Sequence, residues 1–200
     1  MFISFEGIDG SGKGTQIDLL KKYFEKKNII FEYYREPGST QVGEALREVV
    51  LGNKNLVSDF TEVMLYATAR AQLVEEKIMP ALKNGVHIIC DRYVDSSVAY
   101  QSVRNVPKED ILTVNNLATR GILPDLTFLI DVEASVGLSR VLKQTDGDRI
   151  EQEGKVFFEN VVNNYRTLAK ENQSRVITIN GEKDIEEIHI EIINHIENFL

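Results

Sequence analysis

The sequence predicts a doubly wound α/β domain, a five-stranded parallel sheet covered by helices on both faces. Three observations carry this expectation. Five short apolar runs, at residues 2–5, 29–34, 86–90, 126–132 and 175–179, are near-continuous rather than alternating, as in strands buried on both faces. Stretches of helical periodicity separate them, so that strands and helices alternate. The first run also passes through a glycine-rich turn directly into a helix.

In order along the chain, Phe2-Ile3-Ser4-Phe5-Glu6 leads into Gly7-Ile8-Asp9-Gly10-Ser11-Gly12-Lys13-Gly14-Thr15. Glycines let the backbone bend tightly and aim successive N–H groups at phosphate oxygens, and the following helix N-terminus adds its own partial positive charge. Lys13 can reach the outer phosphates of a nucleoside triphosphate as a point charge. The usual pattern G-x-x-x-x-G-K continues with Ser or Thr, whereas here Gly14 stands at that position and Thr15 comes one residue late. In the helix that follows, Ile17, Leu20 and Phe24 share one face.

The second strand, 29–34, runs into Arg35-Glu36-Pro37-Gly38-Ser39-Thr40, and a long helix through 60–83 follows, which Pro80 can break. The third strand, 86–90, ends on Cys90, a buried strand thiol, and continues as Asp91-Arg92-Tyr93 and Ser96-Ser97-Val98-Ala99-Tyr100-Gln101. A helix at 112–119 and a turn with Gly121 and Pro124 lead to the fourth strand, which ends near Asp131. Helices at 134–143, 155–171 and 185–200 and a fifth strand at 175–179 complete the set. Between two of these helices, Thr145-Asp146-Gly147-Asp148 is a polar loop suited to a mobile lid.

Two hundred residues at 42% hydrophobic content fit one domain with a full core, expected to span 1–200 with a small lid at about 142–154. With 23 basic and 31 acidic residues the net charge is −8, so no general attraction to nucleic acid is expected and any anion site must be local. No apolar run reaches the length of a membrane span, and residues 1–6 are too short for a signal peptide. The single cysteine excludes an internal disulfide framework and a cysteine metal cluster, so a reducing cytoplasm is the expected compartment.

In open α/β sheets ligands sit beyond the carboxyl ends of the strands, and here those ends carry alternating arginines and carboxylates. The mixture suits phosphates bridged by Mg²⁺, with arginines gripping oxygens and carboxylates holding the metal or its waters. Asp91-Arg92, immediately after a buried strand, reads as functional. Taken alone, Arg35–Glu36 reads as a solvated ion pair. Arg47 and Arg70 fall in helical stretches, where spacing alone separates a site from an exposed face no better than evenly. Tyr66 precedes Arg70 by one helical turn, so the two could line one pocket or belong to the core.

At these residues the chain resembles the thymidylate kinases of bacterial type, in the P-loop nucleoside monophosphate kinase family. The resemblance covers nearly the whole chain and keeps the order of motifs: the loop at 7–15, Arg35-Glu36-Pro37-Gly38, Tyr66 with Arg70, Asp91-Arg92-Tyr93 through Tyr100-Gln101, Pro124-Asp125, and Asp148-Arg149-Ile150-Glu151. It implies the P-loop NTPase three-layer fold, phosphorylation of dTMP to dTDP with ATP and Mg²⁺, and a homodimer through helical faces, the helix after Phe60 being a candidate. By the same resemblance, Lys13, Thr15 and the loop amides would bind the ATP phosphates. Asp9 and Glu36 would stand near the acceptor's sugar, phosphate and metal, and Arg47 and Arg92 would grip the dTMP phosphate. Tyr66 would stack on thymine, Arg70 would hydrogen-bond its edge, and Ser97, Tyr100 and Gln101 would complete the pocket, Tyr100 near the position of a 2′-hydroxyl. Asp91 would hold Mg²⁺ through water, and Arg149 would come down from the lid.

Two features depart from the family pattern. Lys13-Gly14-Thr15-Gln16 is closer to the loop of adenylate kinases, although no Asp-Gly-x-Pro-Arg stretch follows the third strand. Members with glycine at the Gly10 position carry an arginine-rich lid, whereas Arg140-Val141-Leu142-Lys143-Gln144 offers one arginine and one lysine before Arg149. Arg140, Lys143 and Arg149 are therefore the candidates for the transferring phosphoryl. The nearest alternative is a kinase for another nucleoside monophosphate, AMP or UMP/CMP. A GTP switch would need Asn-Lys-x-Asp, and Asn53-Lys54-Asn55-Leu56 lacks the Asp. A nucleotide-binding subunit without catalysis is disfavoured by the intact arginine and aspartate set.

Overall fold

The computed structural model describes residues 1–52, 56–141, 149–150 and 153–199. The five apolar runs form β1 (Phe2–Glu6), β2 (Phe31–Arg35), β3 (His87–Asp91), β4 (Leu126–Asp131) and β5 (Val176–Asn180). All pair in parallel, in the order β2-β3-β1-β4-β5. β1 is therefore central, and its carboxyl end lies between those of β3 and β4.

The helices are α1 (Lys13–Lys26), α2 (Gln41–Leu51), α3 (Asp59–Leu73), α4 (Met79–Lys83), α5 (Val94–Gln101), α6 (Lys108–Thr119), α7 (Ala134–Val141), α8 (Lys155–Glu171) and α9 (Ile185–Glu197). On one sheet face Ile3 and Phe5 pack with Ile17, Leu20 and Phe24 of α1 and Ile188, Ile192 and Ile196 of α9. On the other, Phe2, Ile88 and Leu129 meet a second apolar cluster that includes Val98 of α5 and Val161 and Tyr165 of α8. Strand residues alternate between these faces, as the pleat requires.

The second strand starts at Phe31 rather than residue 29, for a local reason. The chain leaves α1 through a left-handed Asn28 (φ 55°), whose N–H bonds Glu25 O at 3.1 Å while Ile29 N–H bonds Phe24 O at 2.9 Å. This is the Schellman stop, and it keeps residues 27–29 out of the sheet. The helix expected through 60–83 stays continuous past Pro80 because a π-helical turn, Val74–Ile78, joins α3 to α4. The wider turn relieves the clash that a proline ring makes with the carbonyl four residues back.

Two helices are given no bounds by the sequence pattern, although it puts Arg47 of α2 in a helical stretch. α2 begins on Thr40, whose hydroxyl accepts Gly43 N–H at 2.9 Å. α5 is buried on nearly every side, so it shows no apolar stripe to read. Of the segment expected as a lid, 142–154, residues 149–150 and 153–154 are described, while Lys143, Asp148 and Glu151 lie outside the described residues. Among the described residues no helix is long and apolar enough to cross a membrane.

A polar tie holds α5 to the sheet. Arg175 donates from Nη1 and Nη2 to the Asp95 carboxylate at 2.6 and 2.9 Å, and Nη1 also reaches Thr127 Oγ1 at 2.7 Å. Asp95 is buried, so removing it strands a largely buried guanidinium. Asp95→Ala is expected to cost about 3 kcal/mol of stability. Urea unfolding measures this, and a loss below about 1 kcal/mol would show that the tie does not hold the helix.

Candidate active site

Two cavities meet at the carboxyl end of the sheet. The larger is floored by the loop between β1 and α1 and takes in Lys13, Thr15, Asp91, Arg140 and Lys183. The smaller is lined by Tyr66, Arg70, Ser97, Tyr100, Gln101 and Ile150. Asp9, Glu36, Arg47 and Arg92 line both. These four residues form a wall common to the two cavities.

The loop owes its shape to a close approach that sequence reading missed. Gly10 has φ +75°, and a Cβ there would lie 2.2 Å from Gly137 O, while a Cβ on Gly137 would lie 2.7 Å from Asp9 O. Two glycines far apart in sequence therefore let α7 rest on the loop, and no local signal marks the second of them. Arg140, one turn further along α7, donates to Gly10 O at 3.0 Å. Lys13 curls back over the loop and donates to Gly7 O and Ile8 O, each at 3.0 Å. Burial, with Arg92 nearby, lowers its ammonium pKa to about 8, against the pull of Asp9 and Asp91.

Arg92 stands one residue beyond β3 in the left-handed region, φ 70°. Its Nη2 donates to Asp9 Oδ1 at 2.6 Å, its Nη1 donates to Gly7 O at 2.9 Å, and its guanidinium lies 5.2 Å from the Tyr100 ring centre. Burial works against ionisation of Asp9, and the charges of Arg92 and Lys13 outweigh it, holding the carboxyl below its usual range. Glu6 braces this turn from beneath, another residue missed from sequence. Its carboxylate accepts Tyr93 N–H at 2.7 Å, Ser96 O–H at 2.6 Å and Tyr165 O–H at 3.0 Å. Burial and the charge of Asp95 push its pKa up to about 7. Its sequence signal is a carboxylate ending a strand whose other residues, Ser4 apart, are apolar.

Arg35 and Glu36 are not the solvated pair that adjacency suggests. Arg35 points outward to Glu44 at 3.1 Å, whereas Glu36 turns inward and is buried. A strand sends neighbours to opposite faces, and the same divergence operates at its end. Burial raises the Glu36 carboxyl pKa and Arg70 opposes the rise. Arg70 is itself enclosed: Nε donates to Glu36 at 2.7 Å, Nη1 to Ser97 at 3.0 Å and to Asn115, and Nη2 to Tyr93 O at 2.9 Å and to Glu36. Arg47 Nη1 reaches Pro37 O at 3.0 Å.

Arg149 meets α2 and α3 instead of the loop. Its Nε donates to Val50 O at 2.9 Å and its Nη2 pairs with Glu62. Ile150, next to it, covers the smaller cavity. Asp91 lines the same cleft as Lys13 and Thr15, and its Oδ1 is buried without a hydrogen-bond partner. An orphaned carboxylate oxygen beside a phosphate loop fits a hydrated Mg²⁺. Among the described residues no group of three or more His, Cys, Asp or Glu is placed to hold a metal ion by itself.

A model of the family described as thymidylate kinase matches residues 5–192. The chain belongs to the thymidylate kinase family. It is 46% identical over 201 residues to a thymidylate kinase of Fervidobacterium nodosum, covering 100% of both chains. It is 42% identical over 194 residues to one of Kosmotoga olearia, 96% of this chain and 93% of the relative, and 44% identical over 200 residues to one of Thermoanaerobacter sp. strain X514, 100% and 98%. The parallel sheet and loop are those of the P-loop NTPase three-layer fold that this family shares.

Gly137→Ala is expected to push the loop off α7 and cost about 2 kcal/mol as an overpacking substitution. Gly14→Ala, inside α1, meets nothing within 4 Å and has no positive φ, so its stability should match or exceed that of the wild type, by up to about 1 kcal/mol. Denaturant midpoints of the two variants compare them directly, and equal midpoints would remove the close approach as a constraint.

Proposed function

We propose that the chain transfers the γ-phosphoryl group of ATP to the phosphate of dTMP, giving ADP and dTDP. Membership of the family makes it an enzyme that phosphorylates dTMP. The observation that carries the detailed reading is the shared wall of Asp9, Glu36, Arg47 and Arg92 between the two cavities. Donor and acceptor phosphates could meet there in line, and the chemistry asks chiefly for positioning and charge neutralisation.

In this reading the loop amides of residues 7–15, Lys13 and Thr15 hold the ATP phosphates. Arg92 and Arg47 grip the dTMP phosphate, which is already ionised at neutral pH and needs no strong base. Asp9 keeps Arg92 aimed through the 2.6 Å contact and, with Glu36, faces the acceptor's sugar and phosphate. Tyr66 stacks on the base, Arg70, Ser97 and Gln101 frame its edge, and Tyr100 crowds a 2′-hydroxyl. Asp91 would hold Mg²⁺ through water, and the metal when bound would neutralise charge on the ATP phosphates. Arg140 already touches the loop, while Arg149 must leave Glu62 to reach the phosphates. The chain works as one catalytic domain, 1–200, with a lid at about 142–154 that excludes water on closing. It acts as a homodimer in the cytoplasm, the helix after Phe60 being a candidate interface.

ADP release measured with dTMP, dUMP, AMP, CMP, UMP and GMP as acceptors tests this reading. The expected outcome is turnover preferring dTMP by at least about 100-fold over AMP. Preference for AMP would assign the smaller cavity to another base.

Lys13 makes nucleotide binding proton-linked. Its pKa near 8 in the free protein rises once phosphate charge surrounds it, so ATP binding should take up a proton around pH 8. Affinity should accordingly fall as pH rises above about 8. Calorimetry at pH 8 in buffers of different ionisation enthalpy reads the uptake, which should vanish in Lys13→Met.

A further inference from the structure

Gln101 sits on α5 with its carboxamide buried against the smaller cavity. A carboxamide has a donor end and an acceptor end of nearly equal shape, so what it recognises depends on which way round it stands. Here Nε2 donates to Glu62 Oε1 at 3.0 Å. A carboxylate accepts and cannot donate, so Gln101 must turn its nitrogen toward Glu62 and its oxygen away. That oxygen, Oε1, is buried with no hydrogen-bond partner. The neighbouring Arg70 does not meet it, because its N–H groups already go to Glu36, Ser97, Asn115 and the Tyr93 carbonyl.

Glu62 has little freedom to release the amide. It is 2% exposed on α3, pairs with Arg149 from Oε2, and has Arg104 3.8 Å from Oε1. The Arg149 contact is on Oε2 and is the one that breaks if Arg149 moves to the phosphates, so the hold on Oε1 rests on burial and on Arg104. Arg104, from the stretch after α5, and the Gln101 amide therefore meet on the same oxygen of one buried carboxylate.

We propose that Glu62 is a positioning residue that makes the acceptor cavity select a pyrimidine bearing an imide N–H, by locking the Gln101 carboxamide with its oxygen toward the base. The inference rests on the reading that this cavity holds the acceptor's base. Thymine and uracil carry N3–H, a donor that satisfies the orphaned Oε1. Cytosine presents a bare N3 acceptor, so the two lone pairs would face each other unsatisfied.

The test is kcat/KM for dTMP and for dCMP with the full chain as wild type, Glu62→Gln, Gln101→Met and the double variant. In Glu62→Gln the facing group can both donate and accept, so Gln101 is free to flip. The dTMP/dCMP ratio should fall about tenfold, with KM for ATP unchanged. Gln101→Met should lower the ratio at least as far, and the double variant should fall no further than Gln101→Met alone. A Glu62→Gln enzyme that loses both acceptors equally, or a double variant in which the two losses multiply, would overturn the proposal. If Glu62→Gln does not fold, the Gln101 side-chain amide signal of the wild type, identified by its loss in Gln101→Met, decides. Slow hydrogen exchange supports the lock and free exchange overturns it. A wild type that turns over neither acceptor would overturn the base assignment instead, while the exchange measurement would still report on the Glu62–Gln101 contact.

Discussion

The parallel pairing of β1 with β3 is the constraint on which the site depends. Their register sets Phe5 opposite Asp91, so the glycine loop and the Asp91-Arg92 turn leave the sheet side by side. Arg92 N–H then bonds Phe5 O at 3.0 Å, and the left-handed turn at Arg92 swings its side chain back over the loop to Gly7 and Asp9. An arginine in that backbone region is held by its surroundings rather than by preference. Glu6 supplies much of that hold from the last position of β1, through Tyr93 N–H and Ser96. One strand thus delivers both the phosphate loop and the brace for the arginine beside it.

The electrostatics follow from the same geometry. The chain carries a net charge of −8, yet Lys13, Arg35, Arg47, Arg92, Arg140 and Lys183 all line the larger cleft. Such a contrast concentrates attraction for an anion at one place on an otherwise repelling surface. The carboxylates among these cations serve different ends. Asp9 is held ionised against Arg92 and Lys13, whereas burial makes the charged forms of Glu6 and Glu36 costly.

Fold class and strand ends were legible because the three inner strands are near-continuous apolar runs, while the edge strands β2 and β5, partly exposed, read less clearly. The smaller cavity was legible only through the family resemblance, since spacing alone left Tyr66 and Arg70 open between pocket and helix surface or core; these two line it with Ser97, Tyr100 and Gln101. What escaped is whatever depends on burial by partners distant in sequence. α5 shows no stripe because almost every side of it is covered. Gly137 matters only because α7 comes to rest on Gly10. Glu62 and Asn115 look like ordinary helical polar residues until the fold encloses them. The Arg35–Glu36 reading failed for the converse reason, since two neighbours in sequence diverge to solvent and to core.

The two faces of the sheet differ in what they ask of the chain. Toward α1 and α9 the contact is largely aliphatic, with Ile and Leu side chains that can exchange volume with one another. Toward α5 and α8 it includes Ser4–Thr127, Asp95–Arg175 and the Glu6 cluster, where each polar group needs a particular counterpart. A random change on the first face mostly alters packing, while one on the second strands a buried charge or hydroxyl. Mutational tolerance should therefore be lopsided across a sheet only one strand thick, with drift accumulating beneath α1 and α9 and paired replacements required beneath α5 and α8.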